Sequence, residues 1–334
     1  MARIKDVAAR AGVSVATVSR VINDNPRVSG ENRARVVEAM TQLRYVPNAV
    51  ARSLRTDATK TIGLIIGDIL NPFFTALARS VEQAAREAGY TVVIGNANER
   101  AEEQDHYVRT FAEQQVDAFL ICPTAEVTPS ITELAVDGRP LAFLDRTLPG
   151  LAVPTVRVDG ARAIDGLVAH LARLGHRRIG YISGPDSLSS GRDRTEAFLA
   201  AMRRHGMEIR PEYVETGDFQ AESGRASTVR LLSLPEPPQV IFAGDNLMAL
   251  GALDEIRGRD LRLGRDVGLA SYDDVPWFVH VDPPITAIAQ PTEELGHRAV
   301  AVLLDLLDGR EPESTTLHAQ FIPRKSCGEE GEIA

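Results

Sequence analysis

The first 43 residues carry apolar side chains at the three- and four-residue spacing of short amphipathic helices. This spacing predicts helices over residues 4–11, about 15–22 and about 29–43. Gly12 suits the left-handed turn that ends the first helix, and Ser14 is placed to cap the second. Two short helices joined by a glycine turn and braced by a third predict an all-α helix-turn-helix head.

Beyond residue 60 the pattern changes to continuous apolar runs, such as TIGLIIGDI and DAFLICPT, that alternate with amphipathic helices. Continuous apolar runs are typical of strands buried on both faces of a parallel sheet. The alternation runs through the chain twice, so it predicts an α/β core of two doubly wound parallel-sheet lobes with a cleft between them. We expect the first lobe at about 61–158 plus 288–318 and the second at about 159–287 plus 319–330.

The stretch RYVPNAVARSLRTDATK lies between these two patterns. Its segment AVARSLR is too short to stay helical alone in water, and a polar linker follows it. Arg52 and Arg55 are basic and Leu54 has no core to join, which suggests a wedge for the minor groove of DNA. We therefore divide the chain into a head at 1–46, a hinge helix and linker at 47–60, and a core at 61–330.

Charge is distributed unevenly along the chain. Residues 1–60 hold 11 Lys/Arg and 5 Asp/Glu, whereas the whole chain has a net charge of −9. A basic head on an acidic body favours nucleic acid as the partner of the head. The alternative is a short arginine-rich segment that is basic by chance.

Composition argues against several classes of protein. No run of about 18 apolar residues is present, so we expect no membrane span. The stretch MARIKDVAAR lacks the apolar centre of a secretory signal, and Cys122 and Cys327 are the only cysteines. Two unclustered cysteines favour a reducing compartment and no zinc site. We expect a cytoplasmic protein.

The second helix of the predicted head would present its first residues to the major groove. Val15 and Ala16 are unusual on a solvated helix surface but suit thymine methyl groups, and Thr17 offers a hydroxyl. Arg20, one turn later, reaches a guanine or a phosphate. The alternative is a plain three-helix bundle that contacts no DNA.

Polar and aromatic side chains follow the predicted strands of the core, where the carboxyl ends of parallel strands meet a cleft. The candidates are Asp68, Asn71, Asp145, Arg192, Arg194, Asp218, Phe219, Asp245, Asn246, Asp273 and Asp274. Carboxylates and amides pair with hydroxyl groups, and an aromatic ring packs on the apolar face of a sugar. Asn and Asp after a strand are also ordinary helix caps, which is the alternative for each one alone.

Motifs for enzymatic chemistry are missing from the sequence. No GxGxxG, P-loop, GxSxG or CxxC pattern occurs, and the seven histidines lie far apart in the chain. The sequence therefore predicts no enzyme, no catalytic residue, no metal and no cofactor.

The chain resembles the LacI/GalR (lactose-repressor/galactose-repressor) family in IKDVAARAGVSVATVSRVIND, YVPNAVARSLR, TIGLIIGDILNPFF, LGHRRIGYISGP, DNLMALGAL and ITAIAQP. The resemblance implies a homodimeric repressor with a periplasmic-binding-protein-like core and a hinge helix in the minor groove of the operator. It implies base contacts by Val15, Ala16, Thr17 and Arg20 and a wedge at Leu54, and we expect further DNA contacts by Ser14, Ser19, Asn48, Ala51, Arg52 and Arg55. It implies an effector cleft lined by Asn71, Phe73, Asp145, Arg194, Phe219, Asp245 and Asp273, and we expect Phe74, Ser190 and Trp277 to belong to the same effector site.

Two features depart from the usual pattern of the family. Asp245 places a carboxylate where an amide is common, and Trp277 is the only tryptophan in the chain. We expect a sugar or sugar derivative as effector, with a nucleoside or purine as the alternative. A solute-binding protein with the same core is the rival function, and it is disfavoured by the missing signal peptide.

Overall fold

The computed structural model describes residues 2–22, 25–45 and 58–328. These residues form two compact units that divide between Thr59 and Lys60. Among the described residues, none of the helices combines the length and the apolarity that a bilayer crossing requires.

The smaller unit contains the three predicted helices. They are α1 (Ile4–Ala11), α2 (Val15–Ile22) and α3 (Gly30–Gln42). Each helix contributes one fully buried valine to the centre of the small core. These residues are Val7, Val18 and Val36. The helix-turn-helix prediction is therefore confirmed at the level of the backbone.

Local hydrogen bonds set the ends of these helices. Gly12 takes the left-handed conformation at φ 63°, which glycine adopts with little strain. Ser14 Oγ then accepts a hydrogen bond from the Thr17 N–H at 3.1 Å, and so caps α2. Ser29 Oγ accepts from the Asn32 N–H at 3.4 Å at the start of α3.

The larger unit holds two six-stranded sheets. The first sheet contains β1 (Thr61–Ile66), β2 (Thr91–Asn96), β3 (Ala118–Ile121), β4 (Leu141–Leu144), β5 (Thr155–Asp159) and β11 (Thr315–His318). Its spatial order is β11-β5-β4-β3-β1-β2, and every neighbouring pair is parallel.

The second sheet repeats this arrangement. It contains β6 (Ile179–Ser183), β7 (Val214–Thr216), β8 (Val240–Ala243), β9 (Gly268–Tyr272), β10 (Thr286–Ala289) and β12 (Gln320–Ile322). The order is β12-β10-β9-β8-β6-β7, with β12 antiparallel at the edge and the other pairs parallel. The predicted fold of two doubly wound lobes is confirmed.

Helices cover both faces of each sheet. The first lobe has α4 (Pro72–Glu87) beside α11 (Thr292–Leu307) and α5 (Ala101–Glu113) beside α6 (Pro129–Val136). The second lobe has α7 (Ala161–Arg173) beside α8 (Ser189–Arg204) and α9 (Ala221–Leu232) beside α10 (Asn246–Gly258). Each sheet thus has an apolar core on either side, as buried parallel strands require.

The chain passes between the lobes three times. From sequence we expect these crossings after residues 158, 287 and 318. Strand pairing places them after Asp159, Ala289 and His318, because Asp159 pairs with His318 in the first sheet and Ala289 pairs with Gln320 in the second. The first two crossings therefore differ from the expected positions by one and two residues.

Two glycines let α9 and α10 pack in close contact. A Cβ at Gly224 would collide with the backbone of Met248, and a Cβ at Gly251 would collide with the carbonyl of Ala221. Gly258 is also helical, but nothing lies within 4 Å of the position of its Cβ. The close approach of these helices therefore depends on particular glycines.

We expect Gly251→Ala to lower the free energy of unfolding by about 3 kcal/mol, because the added methyl group forces the two helix backbones apart. The control Gly258→Ala should raise it by about 0.5 kcal/mol, since alanine is the better helix former. Urea unfolding of both variants beside the parent protein measures the difference. Equal stability of the two variants would contradict the close packing of α9 on α10.

Candidate functional site

The head exposes the beginning of α2. Val15, Ala16, Ser19 and Arg20 line an open concavity together with Ile4 of α1. Val15 keeps 39% of its surface exposed although it is apolar and lies on a short helix. The structure therefore leaves accessible the residues at the start of α2 that we expect from sequence to contact DNA.

Ser14 and Thr17 are partly committed to the fold. Their hydroxyl oxygens lie 2.9 Å apart, and Ser14 also caps the helix. The remaining predicted DNA contacts, Asn48, Ala51, Arg52, Leu54 and Arg55, lie outside the described residues.

Between the two lobes of the core, nine of the ten effector residues expected from sequence line one small space, here called the central cavity. Its lining is Asn71, Phe73, Phe74, Glu99, Asp145, Arg146, Ser190, Arg194, Phe219, Asp245 and Asp273. Its volume is about 20 Å³, which is room for a single water molecule. The lobes therefore meet closely at this point.

A larger space, here called the adjoining cavity, opens beside the central one. Its volume is about 460 Å³, within the range of small-molecule pockets. Asp145, Ser190 and Arg194 line both cavities. The two spaces are therefore parts of one cleft.

Amide and carboxylate side chains join the lobes across the central cavity. Asn246 Nδ2 donates to Asn71 Oδ1 at 2.8 Å and lies 3.2 Å from Asp273 Oδ2. Asn71 Nδ2 in turn lies 3.4 Å from Asp245 Oδ2. These side chains come from the starts of α4 and α10 and from the end of β9, so three elements of both lobes are tied together.

Two of these side chains are also helix caps. Asn71 Oδ1 accepts from the Phe73 N–H at 3.0 Å, and Asp245 Oδ1 accepts from the Met248 N–H at 2.8 Å. The capping alternative raised in the sequence analysis is therefore true of both, and it is compatible with their place in the cleft. Asn71 Oδ1 accepts both from its own helix and from Asn246 of the other lobe, whereas Asp245 uses Oδ1 for its helix and Oδ2 for the contact with Asn71.

Arg194 is held rigidly in the wall of the cleft. Its Nη1 donates to the carbonyl of Gly244 at 2.7 Å, and its guanidinium lies 3.8 Å from the centre of the Tyr272 ring. Burial alone would lower the pKa of Arg194, but Tyr272 and the nearby aspartates raise it above the ordinary value. Arg194 is therefore a fixed cation in the site.

Three lining residues adopt a left-handed backbone that is uncommon for side chains with a Cβ. Asp145 has φ 66°, Phe219 has φ 64° and Asp273 has φ 68°, and each follows the end of a strand. A Cβ at Gly184 would collide with the Phe219 ring, so glycine there leaves room for that ring. Local strain of this kind concentrates at functional sites.

Glu99 and Arg146 line the cavity and were not identified from sequence. Arg146 Nη1 and Nη2 donate to the two Glu99 oxygens at 2.6 and 2.9 Å in a buried bidentate pair. Burial opposes the charge of Arg146, but Glu99 outweighs it, so the pKa of Arg146 is raised. The available signal was the sequence LDR, in which Arg146 directly follows a predicted lining residue.

Burial changes the acidity of the cleft carboxyls. It raises the pKa of Asp245 to about 7, against the opposing effect of the Met248 N–H and with a further increase from Asp273. Burial also raises the pKa of Asp145, although Arg146 and Arg194 act in the opposite direction. Near neutral pH the cleft therefore contains a carboxyl that can exchange its proton.

Trp277, expected from sequence in the effector site, does not line the central cavity. It lies in a short 3₁₀ helix (Pro276–His280), and its ring packs edge-on against Phe278 with centroids 4.5 Å apart. It rests against the apolar core that covers one face of the second sheet. Asp274 also turns away from the cleft, because Arg324 binds it at 2.7 Å.

In the part of the chain that the structure describes, no three His, Cys, Asp or Glu side chains are grouped so that they could hold a metal ion. Cys122 is buried, and its Sγ lies 4.0 Å from Asp145 Oδ2. Burial raises the pKa of this thiol well above its usual value.

Family models match both parts of the chain. Residues 3–48 match the description "Bacterial regulatory proteins, lacI family", and residues 168–327 match a periplasmic binding protein-like domain. The repressor CytR of Escherichia coli K12 is 33% identical over 92% of this chain and 91% of its own length. The repressor PurR of Serratia proteamaculans is 35% identical over 98% of both chains.

The chain belongs to the lacI family of bacterial regulatory proteins. Solved structures agree with this assignment over nearly the whole length. A Lac repressor dimer bound to operator is 28% identical, covers 98% of this chain and 99% of that chain, and superposes with a TM-score of 0.86. A complex of the regulator CelR with cellobiose is 31% identical, covers 98% and 100%, and has a TM-score of 0.74. This lacI-family protein is a transcriptional regulator and not an enzyme.

Proposed function

We propose that this regulator is a repressor that binds a pseudo-palindromic operator as a homodimer, and that a sugar or sugar derivative in the cleft controls its affinity for DNA. The observation that carries this proposal is the cleft, where fixed carboxylates, amides, an arginine and aromatic rings meet in a narrow space. The operator-bound dimer of the similar Lac repressor supports the DNA-bound state.

The polar groups of the cleft match the hydroxyl groups of a sugar. Asp145, Asp245 and Asp273 offer carboxyl oxygens, and Arg194 offers N–H donors from the same wall. Phe219 lies beside them with a ring that can pack on the apolar face of a sugar. The similar regulator CelR, which has been solved with cellobiose, supports a sugar as the effector class.

A nucleoside or purine is the second candidate. Phe73 and Phe74 line the central cavity with Phe219. The rings of Phe73 and Phe74 pack edge to face, with their centroids 5.1 Å apart. Aromatic rings bind a flat base as readily as a sugar face. A nucleoside would bring its ribose hydroxyls to the same carboxylates.

If the exposed start of α2 contacts bases, a substitution there should change the affinity for DNA without changing the stability of the protein. We expect Val15→Ala to weaken binding to the tightest duplex selected from a random pool by about 10-fold, because an exposed base contact is lost. Binding to unrelated duplex should stay the same, since phosphate contacts supply it. Fluorescence anisotropy with both duplexes measures the ratio of the affinity for the selected duplex to the affinity for unrelated duplex.

Val37→Ala is the matched control, because Val37 is also an exposed valine of the head, at 52%, but lies on α3 outside the concavity of α2. It should leave both affinities unchanged. A Val15→Ala protein with an unaltered ratio of specific to unrelated binding would contradict base contact by α2.

The effector class can be decided by thermal shift with separate panels of neutral sugars, nucleosides and purines. A ligand present at 100 times its Kd should stabilise the binding state by about 2.7 kcal/mol. We expect hits among the sugars, and Phe219→Ala should weaken them by at least about 10-fold because it removes the ring surface. The control Phe321→Ala removes a half-buried ring of the same lobe outside both cavities and should leave affinity unchanged.

Hits confined to nucleosides or purines would reverse the order of the two candidates. Stabilisation that survives Phe219→Ala in full would show that the ligand binds elsewhere.

A further inference from the structure

Carboxylates outnumber cations in the wall of the central cavity. Its acidic residues are Glu99, Asp145, Asp245 and Asp273, and its basic residues are Arg146 and Arg194. The bidentate pair of Glu99 and Arg146 is internally neutral. Three carboxyl groups therefore share a single remaining cation, Arg194.

Arg194 has already committed part of its hydrogen-bonding capacity. It donates to the Gly244 carbonyl and stacks on Tyr272, as described above. Asp145 Oδ2 has only long contacts, an ion pair of 3.6 Å with Arg146 Nε and a distance of 4.0 Å to Cys122 Sγ. Asp245 and Asp273 accept hydrogen bonds from uncharged groups, so negative charge in this wall exceeds positive charge.

The adjoining cavity has the same imbalance. Its lining adds Asp159, Asp193 and Glu196, but only one further cation, Arg157. Arg157 binds Asp193 at 3.0 Å. A ligand that extends from the central cavity into the adjoining cavity would therefore meet more acidic than basic side chains in both.

Unpartnered polar atoms show, independently of this charge count, that the wall is incomplete without a ligand. Arg146 Nε and Ser190 Oγ are buried, line the central cavity and have no hydrogen-bond partner among the described residues. Their residues are only 4% and 8% exposed. Buried polar groups are normally satisfied, so both atoms point to an occupant of the cleft. Arg146 Nε, whose nearest carboxylate oxygen is 3.6 Å away on Asp145, needs an acceptor, and a ligand hydroxyl group can accept as well as donate.

We infer that the cleft selects ligands rich in hydrogen-bond donors, either uncharged polyhydroxyl compounds or their amine-bearing derivatives, that it rejects phosphorylated and acidic ligands, and that Asp245 sets this preference. The inference rests on the proposed function, because it concerns the effector of the same cleft. An added anion would face three carboxyl groups in a narrow space, whereas a hydroxyl group adds no charge and an ammonium group adds the opposite charge.

Asp245 is the residue best placed to set the preference. Arg194 of α8, Asp273 after β9 and Asp145 after β4 are the charged groups that share the wall with it, beside the neutral pair of Glu99 and Arg146. Its pKa of about 7 makes it the carboxyl that a donor-rich ligand would ionise on binding. Ligand affinity should therefore rise up to about 10-fold per pH unit as the pH increases towards 7, and level off above it.

The test uses the full-length protein and matched triplets, each a neutral sugar or nucleoside, its amino derivative, and its phosphate or uronic acid. Thermal shift identifies the scaffolds that bind, and calorimetry at pH 6, 7 and 8 measures their affinities. We expect the neutral and amino members to bind at least about 10-fold more tightly than the anionic member of the same triplet. The affinity of the neutral member should increase from pH 6 to pH 7.

We call the ratio of affinities for the neutral and anionic members of a triplet the affinity gap. Asp245→Asn should reduce this gap by about 10-fold and remove the pH dependence of affinity, since asparagine still caps α10 but carries no charge. The control Asp218→Asn makes the same change at an exposed residue outside both cavities. It should leave the gap and the pH dependence unchanged. If Asp245→Asn fails to fold, the triplets and the pH dependence of the parent protein still decide the question.

Tightest binding by an anionic member, affinity that falls as the pH rises from 6 to 7, or no binding by any triplet would overturn the inference. The inference would also be overturned if the ratio of affinities for neutral and anionic members were the same in Asp245→Asn as in Asp218→Asn. Operator binding by the same preparations is measured in parallel. If it persists, only the ligand preference has failed, whereas its absence overturns the proposed function itself.

Discussion

The hydrogen bond from Asn246 to Asn71, at 2.8 Å, is the contact on which the arrangement of the core depends. Both side chains are buried, so each would lose a partner if the lobes separated without water or ligand to replace it. Asn71 and the neighbouring Asp245 also begin helices α4 and α10. The groups that start a helix in each lobe are thus the groups that hold the lobes together.

Asn71 and Asp245 act both as helix caps and as contacts between the lobes. This double role explains how a small ligand could alter the arrangement of the whole core. A ligand that enters from the adjoining cavity reaches Asp145, Ser190 and Arg194 first and then competes for the polar groups between the lobes. Because Asn71 and Asp245 also cap α4 and α10, a change in their contacts between the lobes would act directly on these two helices. To switch the protein almost completely between two states, the ligand must prefer one of them by about 10⁴-fold.

Much of the fold was predictable because its signals are local. Gly12 and Ser14 mark the turn of the head, and continuous apolar runs mark the strands. The central cavity was predictable for a related reason, since residues after parallel strands must share one edge of a sheet. The strands β5, β10, β11 and β12 were not assigned from sequence, because three of them are short, half-exposed and close to the crossings between lobes.

The pair of Glu99 and Arg146 could not be predicted from sequence, because it joins loops 47 residues apart in the chain. Only the folded sheet brings the ends of β2 and β4 close enough for the two to meet. Trp277 follows Asp273 by only four residues in the chain but does not line the central cavity. The intervening turn sends its ring to Phe278 instead.

The central claim is that occupancy of the cleft and operator binding are coupled, and reciprocal linkage tests it most directly. The measurement is the Kd of the identified ligand for the free protein and for the protein saturated with its selected operator. We predict that the two values differ by at least about 10-fold, and that the ligand changes operator affinity by the same factor. Equal ligand affinities with and without operator would contradict the account.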